Sequence, residues 1–133
     1  MSAEAIIKSL LAADATVTAL VSTRIFPAVV PENTALPALA VTMIAGARYP
    51  RIAGAETTHL QRTRMEVECV GTSYAEAKAL RSAVIKACEF KRGTIATVLV
   101  HMIELIGEGP DEYDNSAEWF SQVVDFAVYF EAQ

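Results

Sequence analysis

The stretch from residue 60 to about residue 90 constrains the fold most, because a strand pattern is followed there directly by a helix pattern. Two sets of alternate residues, one mostly charged and the other uncharged, form the period-two pattern of a strand with one solvent-exposed face. The sets are Leu60, Arg62, Arg64, Glu66 and Glu68 against Gln61, Thr63, Met65, Val67 and Cys69. Ser73 and Glu76 then have the spacing of a capping box. The sequence therefore predicts a strand followed by a helix that ends at about Phe90.

The N-terminal part of the chain predicts a second helical segment. Apolar residues recur there at three- and four-residue spacing over residues 3–21, and Asp14 interrupts the pattern. From Arg24 to Pro37, prolines 27, 31 and 37 exclude a regular helix or a central strand. We therefore expect a helix that breaks near Asp14, followed by an extended connector.

Three further segments are apolar and rich in β-branched or aromatic residues, and they predict strands at residues 39–44, 94–106 and 119–130. Residues 46–59 predict a long loop or a loose hairpin, and residues 107–118 an acidic turn. This order of elements predicts an α+β fold with a mixed or antiparallel sheet of about four strands and helices packed on one face. We expect a single domain over residues 1–133.

Composition excludes some classes of protein. The chain has 16 acidic and 11 basic residues and a net charge of -5, which argues against a general nucleic-acid binder. The N-terminal apolar stretch contains Lys8 and Asp14 and has no basic region before it, so it predicts neither a signal peptide nor a membrane span. We expect a soluble protein that stays in the cytoplasm where it is made.

Residues suited to catalysis are few. The chain contains two histidines, His59 and His101, and two cysteines, Cys69 and Cys88, without the spacing of a zinc or redox motif. We expect both cysteines to be buried free thiols, no metal or cofactor, and no enzyme activity. A small ligand-binding domain with a pocket beside the helix after Gly71 remains an alternative.

Charge is distributed unevenly along the chain. Residues 46–64 contain four arginines, Arg48, Arg51, Arg62 and Arg64, against the single acid Glu56. Residues 104–118 contain six acids and no base, and Glu108, Asp111, Glu112 and Asp114 form the candidate acidic turn.

These charges have several interpretations. The simplest is that they keep the surface soluble. If the two segments lie on opposite sides of the fold, identical copies could instead pack head to tail and form a ring. The arginines could also face DNA phosphates in a central channel. The acidic turn could hold calcium, although it lacks the ligand spacing of an EF-hand.

Several stretches, taken in order, resemble one family of phage proteins. They are LAADATVTALV (11–21), RIFP (24–27), LP (36–37), VEC (67–69), SYAEA (73–77) and DFAVY (125–129). In their order and spacing they resemble the tail-completion, or tail-terminator, proteins of long-tailed bacteriophages and prophages. The resemblance extends from about residue 6 to residue 130 and is weakest between Arg48 and His59.

The resemblance implies a structural protein with no enzyme activity and no cofactor. Such a protein forms a ring that caps the tail tube, ends its polymerisation and joins the tail to the head connector. The ring is expected to be a hexamer, and the protein is expected to be monomeric in dilute solution. Its expected partners are itself, the tail-tube protein and the connector or stopper protein, with non-specific contact to DNA in the lumen. The expected locations are the bacterial host cytoplasm during assembly and then the tail or neck of the virion. A head-completion or adaptor protein of the neck is the alternative.

Overall fold

The computed structural model describes residues 3–49, 59–116 and 118–132. Its helices are α1 (Ala3–Ala13), α2 (Ala15–Val21) and α3 (Tyr74–Cys88). Its strands are β1 (Ile25–Pro27), β2 (Ala38–Tyr49), β3 (His59–Gly71), β4 (Gly93–Ile95), β5 (Val98–Glu108), β6 (Glu112–Asp114) and β7 (Trp119–Ala132). Among these residues no helix is long and apolar enough to cross a membrane.

The strands form one mixed sheet in the order β1-β2-β3-β7-β5-β4, with β6 beside β7. Strand β1 runs parallel to β2, and the other pairs are antiparallel. The sheet curls into a half-barrel.

The predicted fold class, an α+β fold with a sheet of about four strands and helices packed on one face, is therefore wrong. The chain is mostly strand, and seven strands form a half-barrel. Strands β1, β4 and β6 have three residues each, which is too short to show a period in the sequence. They exist because a neighbouring strand supplies their backbone hydrogen bonds.

The segment 94–106 was predicted as one strand but forms the hairpin of β4 and β5. Ala96 and Thr97, which connect the two strands, have φ angles of 51° and 64°. Two consecutive residues in the left-handed region are typical of a tight hairpin turn, which usually uses asparagine and glycine. Alanine and threonine are not typical of such a turn, so the turn could not be predicted from the sequence.

The helix starts were predicted correctly. The Asp14 carboxylate accepts hydrogen bonds from the N–H groups of Thr16 (2.9 Å) and Val17 (3.0 Å), and it separates α1 from α2. The Ser73 hydroxyl accepts from the Glu76 N–H (3.1 Å), while the Glu76 carboxylate accepts from the Thr72 N–H (2.8 Å). Both caps satisfy N–H groups that have no partner within the helix.

The main core lies between the helices and one face of the sheet. Alternate residues of β3 and β7 point into it and are fully buried, as their periodicity predicted: Met65, Val67, Cys69, Val124, Phe126 and Val128. A second, smaller cluster joins Val30, Ala38, Ala40 and Val70 and is covered in part by Trp119. Apolar contacts therefore form on both sides of β2.

Candidate functional site

The sheet face opposite the main core carries most of the charged side chains of the long strands, and we call it the polar face. It consists of Arg62, Arg64, Glu66 and Glu68 on β3, Asp125 and Tyr129 on β7, and Glu104 on β5. These residues share a face because side chains alternate along a strand and directly opposite residues lie on the same side. Charge along β3 changes from basic at residues 62 and 64 to acidic at residues 66 and 68.

The basic half of the polar face is already occupied by contacts within the subunit. The Arg62 Nε donates a hydrogen bond to the Tyr129 hydroxyl at 3.0 Å, and that hydroxyl donates to the Glu104 carboxylate at 3.1 Å. Arg64 forms an ion pair with Asp125, with its Nε at 3.2 Å from Oδ2. Because they have these partners, Arg62 and Arg64 are less available to bind phosphate or another protein.

Of the arginines predicted to form one basic loop, the three in the described residues do not share one face of the sheet. Arg48 lies on β2 opposite Gln61, whereas Arg62 lies opposite Ala47. Arg48 therefore points to the opposite side of the β2–β3 hairpin from Arg62 and Arg64. Arg51 lies outside the described residues.

The acidic half of the polar face borders β6. Glu68, Glu112, Asp114, Trp119 and Ser121 line a shallow hollow there. Burial is the main cause that raises the pKa of Glu68, and the neighbouring Glu66 and Glu112 raise it further. Burial likewise raises the pKa of Glu66, with Asp125 adding to the effect. This end of the sheet therefore holds carboxylates in positions that disfavour their charge.

The predicted acidic turn is exposed, and part of its charge has a structural role. Glu108 ends β5 and forms an ion pair with Arg81 on α3, with 3.3 Å between its Oε1 and the Arg81 Nε. Asp114 ends β6, and its carboxylate accepts from the N–H of Ser116 at 2.9 Å. Asp111 precedes β6 and is exposed. In residues 3–49, 59–116 and 118–132 no group of histidine, cysteine and acidic side chains is arranged to hold a metal ion.

The potentially reactive side chains, those of the two cysteines and the two histidines, lie within strands and helix α3. Cys69 and Cys88 are buried free thiols, as predicted. Burial raises the pKa of both thiols, that of Cys88 to about 12, so they stay protonated and are poor nucleophiles. His101 Nε2 lies 3.0 Å from the Glu131 carboxylate. His59 begins β3, opposite Ala132.

The two flanks of the sheet carry exposed apolar side chains that the sequence interpretation missed. On β2 they are Met43, Ile44 and Tyr49, and on β5 they are Leu99, Met102 and Ile106. The apolar run MIAGARY (43–49) was a signal for a continued strand, but its glycine and the following proline led to the prediction of a long loop or a loose hairpin over residues 46–59. Residues 46–49 extend β2, and residues 50–58 lie outside the described residues. Exposed apolar residues along strand edges are typical of surfaces that bind another protein.

Comparison with known proteins agrees with a structural role. No curated protein matches the chain. Among solved structures, a chain described as "Virion of native gene transfer agent (GTA) particle" has the same fold, with a TM-score of 0.73 and 20% sequence identity. The match covers 98% of this chain and 96% of that one. The family described as "Tail completion protein gp17" matches residues 5–131, nearly the whole chain, so the chain belongs to this family of phage tail structural proteins.

Proposed function

We propose that this protein forms a ring on the head-proximal end of a phage tail tube, stops the growth of the tube and joins the tail to the head connector. The observation that carries the proposal is the family match over residues 5–131. A ring of about six copies is the expected assembly. It would form in the bacterial host cytoplasm and remain in the tail or neck of the virion.

The distribution of charge supports head-to-tail packing of identical copies. Arg48 lies on β2 towards one flank of the sheet, while the acidic residues Glu108, Asp111 and Glu112 lie where β5 leads into β6, beyond β7. A contact between unlike flanks repeats around a ring, because each copy keeps one flank free for the next copy. Of the described arginines in the predicted basic set, Arg48 is the one best suited to this contact or to DNA in the lumen, since Arg62 and Arg64 bind Tyr129 and Asp125.

Ending the growth of a tube requires selective binding and no chemistry. One face of the ring must complement the last ring of tube subunits, and the other face must be unable to accept a further tube subunit. The expected partners are therefore the tail-tube protein on one face and a connector or stopper protein on the other.

The first test is the mass of the particle in solution as the protein concentration is raised, measured by light scattering after size exclusion. Electron microscopy of any large species then shows whether rings form. Closed rings that bind the ends of purified tail tubes are the expected result. Rings that bind only the connector side would indicate a head-completion or adaptor protein, and a chain that forms no ring even on tube ends would contradict the proposal.

A further inference from the structure

We propose that neighbouring copies join through their sheet edges: residues 45–49 of β2 in one copy pair in antiparallel fashion with residues 104–108 of β5 in the next. This inference rests on the proposed ring, and it specifies how the ring is held together. The ring would then contain a continuous β-sheet, in which backbone hydrogen bonds supply much of the contact between subunits.

Both flanks of the sheet are only partly covered. Strand β1 pairs with β2 at residues 39–41 and leaves the rest of that edge without a described strand. Strand β4 pairs with β5 at residues 98–100, and the N–H of Phe90 donates to the Ile103 carbonyl at 2.9 Å. Past Ile103, no strand in the described part of the chain covers the outer edge of β5. The open segment therefore covers residues 42–49 on β2 and residues 104–108 on β5.

The directions of the strands allow the sheet to continue. Strand β3 runs antiparallel to β2, β7 to β3, and β5 to β7. Strand β5 is consequently antiparallel to β2. When identical copies are rotated about an axis tilted from the strands, β2 of the next copy arrives beside β5 in the sense that extends the antiparallel alternation. Ala47 lies level with Met102 through Arg62 and Tyr129. Pairing of Ala47 within 104–108 therefore requires a stagger of about four residues, of the kind that strand tilt produces in a closed sheet.

The two open segments are also complementary in character. Residues 45–49 are all exposed, contain Arg48 and no acid, and end in Tyr49, which is 45% exposed. Residues 104–108 contain Glu104 and Glu108 and no base, together with Ile106, which is 39% exposed. Glu104 already accepts from the Tyr129 hydroxyl and Glu108 already pairs with Arg81. The preference for unlike flanks therefore rests mainly on the repulsion between two Arg48 side chains that a contact between two β2 edges would create.

The backbone of Arg48 faces the open side of β2. The Val41 carbonyl, which accepts from the Ala28 N–H at 2.9 Å, points away from β3. On β3, Val67 lies opposite Val41 and Gln61 lies opposite Arg48. Because Val67 and Gln61 are an even number of positions apart, Val41 and Arg48 have the same orientation relative to β3. Backbone groups alternate in direction along a strand, so the N–H of Arg48 also points away from β3.

This orientation provides a matched pair of variants. Arg48→Ala and Arg48→Pro both remove the guanidinium, but only proline removes the outward N–H. We expect both variants to fold, with Arg48→Pro associating roughly fivefold or more weakly than Arg48→Ala because one backbone hydrogen bond per contact is lost. Equal association of the two variants would overturn the pairing.

Cross-linking tests which flanks meet. In the double variant Ala47→Cys/Gly107→Cys both new thiols lie on the polar face, opposite Arg62 and Asp125 respectively. A Cβ atom added to Gly107 meets no other atom within 4 Å. Within one copy the two positions are separated by β3 and β7, about 14 Å across the sheet, and by about four residues, or about 13 Å, along the strands. A short bismaleimide therefore joins different copies far more readily than it joins the two positions within one copy. The native cysteines are buried and do not compete.

The experiment uses rings formed at high concentration and, in parallel, assembled tails. The expected result is a ladder of covalent oligomers that ends at the size of the ring in the double variant, and no product from either single variant. Dimers from Ala47→Cys alone would show that two β2 edges meet and would overturn head-to-tail pairing. Rings that form normally but never cross-link would refute the edge contact and leave the proposed function standing, whereas the absence of rings on tubes would refute both.

Discussion

The surroundings of Glu68 disfavour the charged form of its carboxyl group. Burial raises its pKa, and Glu66 and Glu112 add to the effect. A carboxyl group whose pKa is raised on folding destabilises the protein above its folded pKa, and the penalty disappears below its unfolded pKa. Ordinary surface carboxylates carry no such penalty.

We therefore expect Glu68→Gln to raise the stability of the subunit at pH 7 and to leave it nearly unchanged at about pH 4, where glutamate is largely protonated. Urea unfolding at both pH values measures the difference. Glu32→Gln is the matched control, because Glu32 is exposed and its replacement should have little effect at either pH. Destabilisation by Glu68→Gln at pH 7 would show that the carboxylate has a favourable partner instead.

At the scale of elements, β7 holds the sheet together. It pairs with β3 from Phe120 to Ala132 and with β5 and β6 on its other side. Its inward residues, among them Phe126, are fully buried in the main core. The subunit should therefore depend more on this strand than on the three-residue strands at the flanks.

Phe126→Asp should unfold the subunit, since it places an unpaired charge in the core and costs about 4 kcal/mol or more, against a total stability of roughly 5–15 kcal/mol. Circular dichroism and the yield of soluble protein provide the measurement. Val29→Asp makes a comparable change at a side chain that is 67% exposed and should leave the fold intact. A soluble, folded Phe126→Asp protein would contradict the inward position of this residue.

At the scale of the whole molecule, the two flanks of the sheet differ in charge, and assembly should depend on that difference. Arg48 is exposed on β2. We expect Arg48→Glu to leave thermal unfolding unchanged and to weaken ring formation, because both flanks then carry negative charge.

Light scattering at several salt concentrations checks this expectation, since added salt should weaken the wild-type ring. Lys86→Glu, on the exposed side of α3, makes the same change of charge away from the flanks and should assemble normally. If both variants assemble like the wild type, the charge of the β2 flank has no part in the contact.

The features that the sequence predicted correctly depend on neighbouring residues. The alternation in β3 and β7, the capping box at Ser73 and the helix break at Asp14 are each decided within a few positions, because side-chain direction and local hydrogen bonds act over one or two turns or pleats. The order and spacing of such elements also sufficed for the resemblance to tail-completion proteins, which the family match confirms.

Tertiary structure alone decided the rest, because the contacts involved join residues that are distant in the chain. Pairing of β3 with β7 brings Asp125 to Arg64 and Tyr129 to Arg62, and the register of β2 against β3 places Arg48 on the other side of the sheet. The short strands gain their hydrogen bonds only once a neighbouring strand is in place. The two open edges of the half-barrel likewise exist only after the strands are ordered, so no local pattern in the sequence could reveal them.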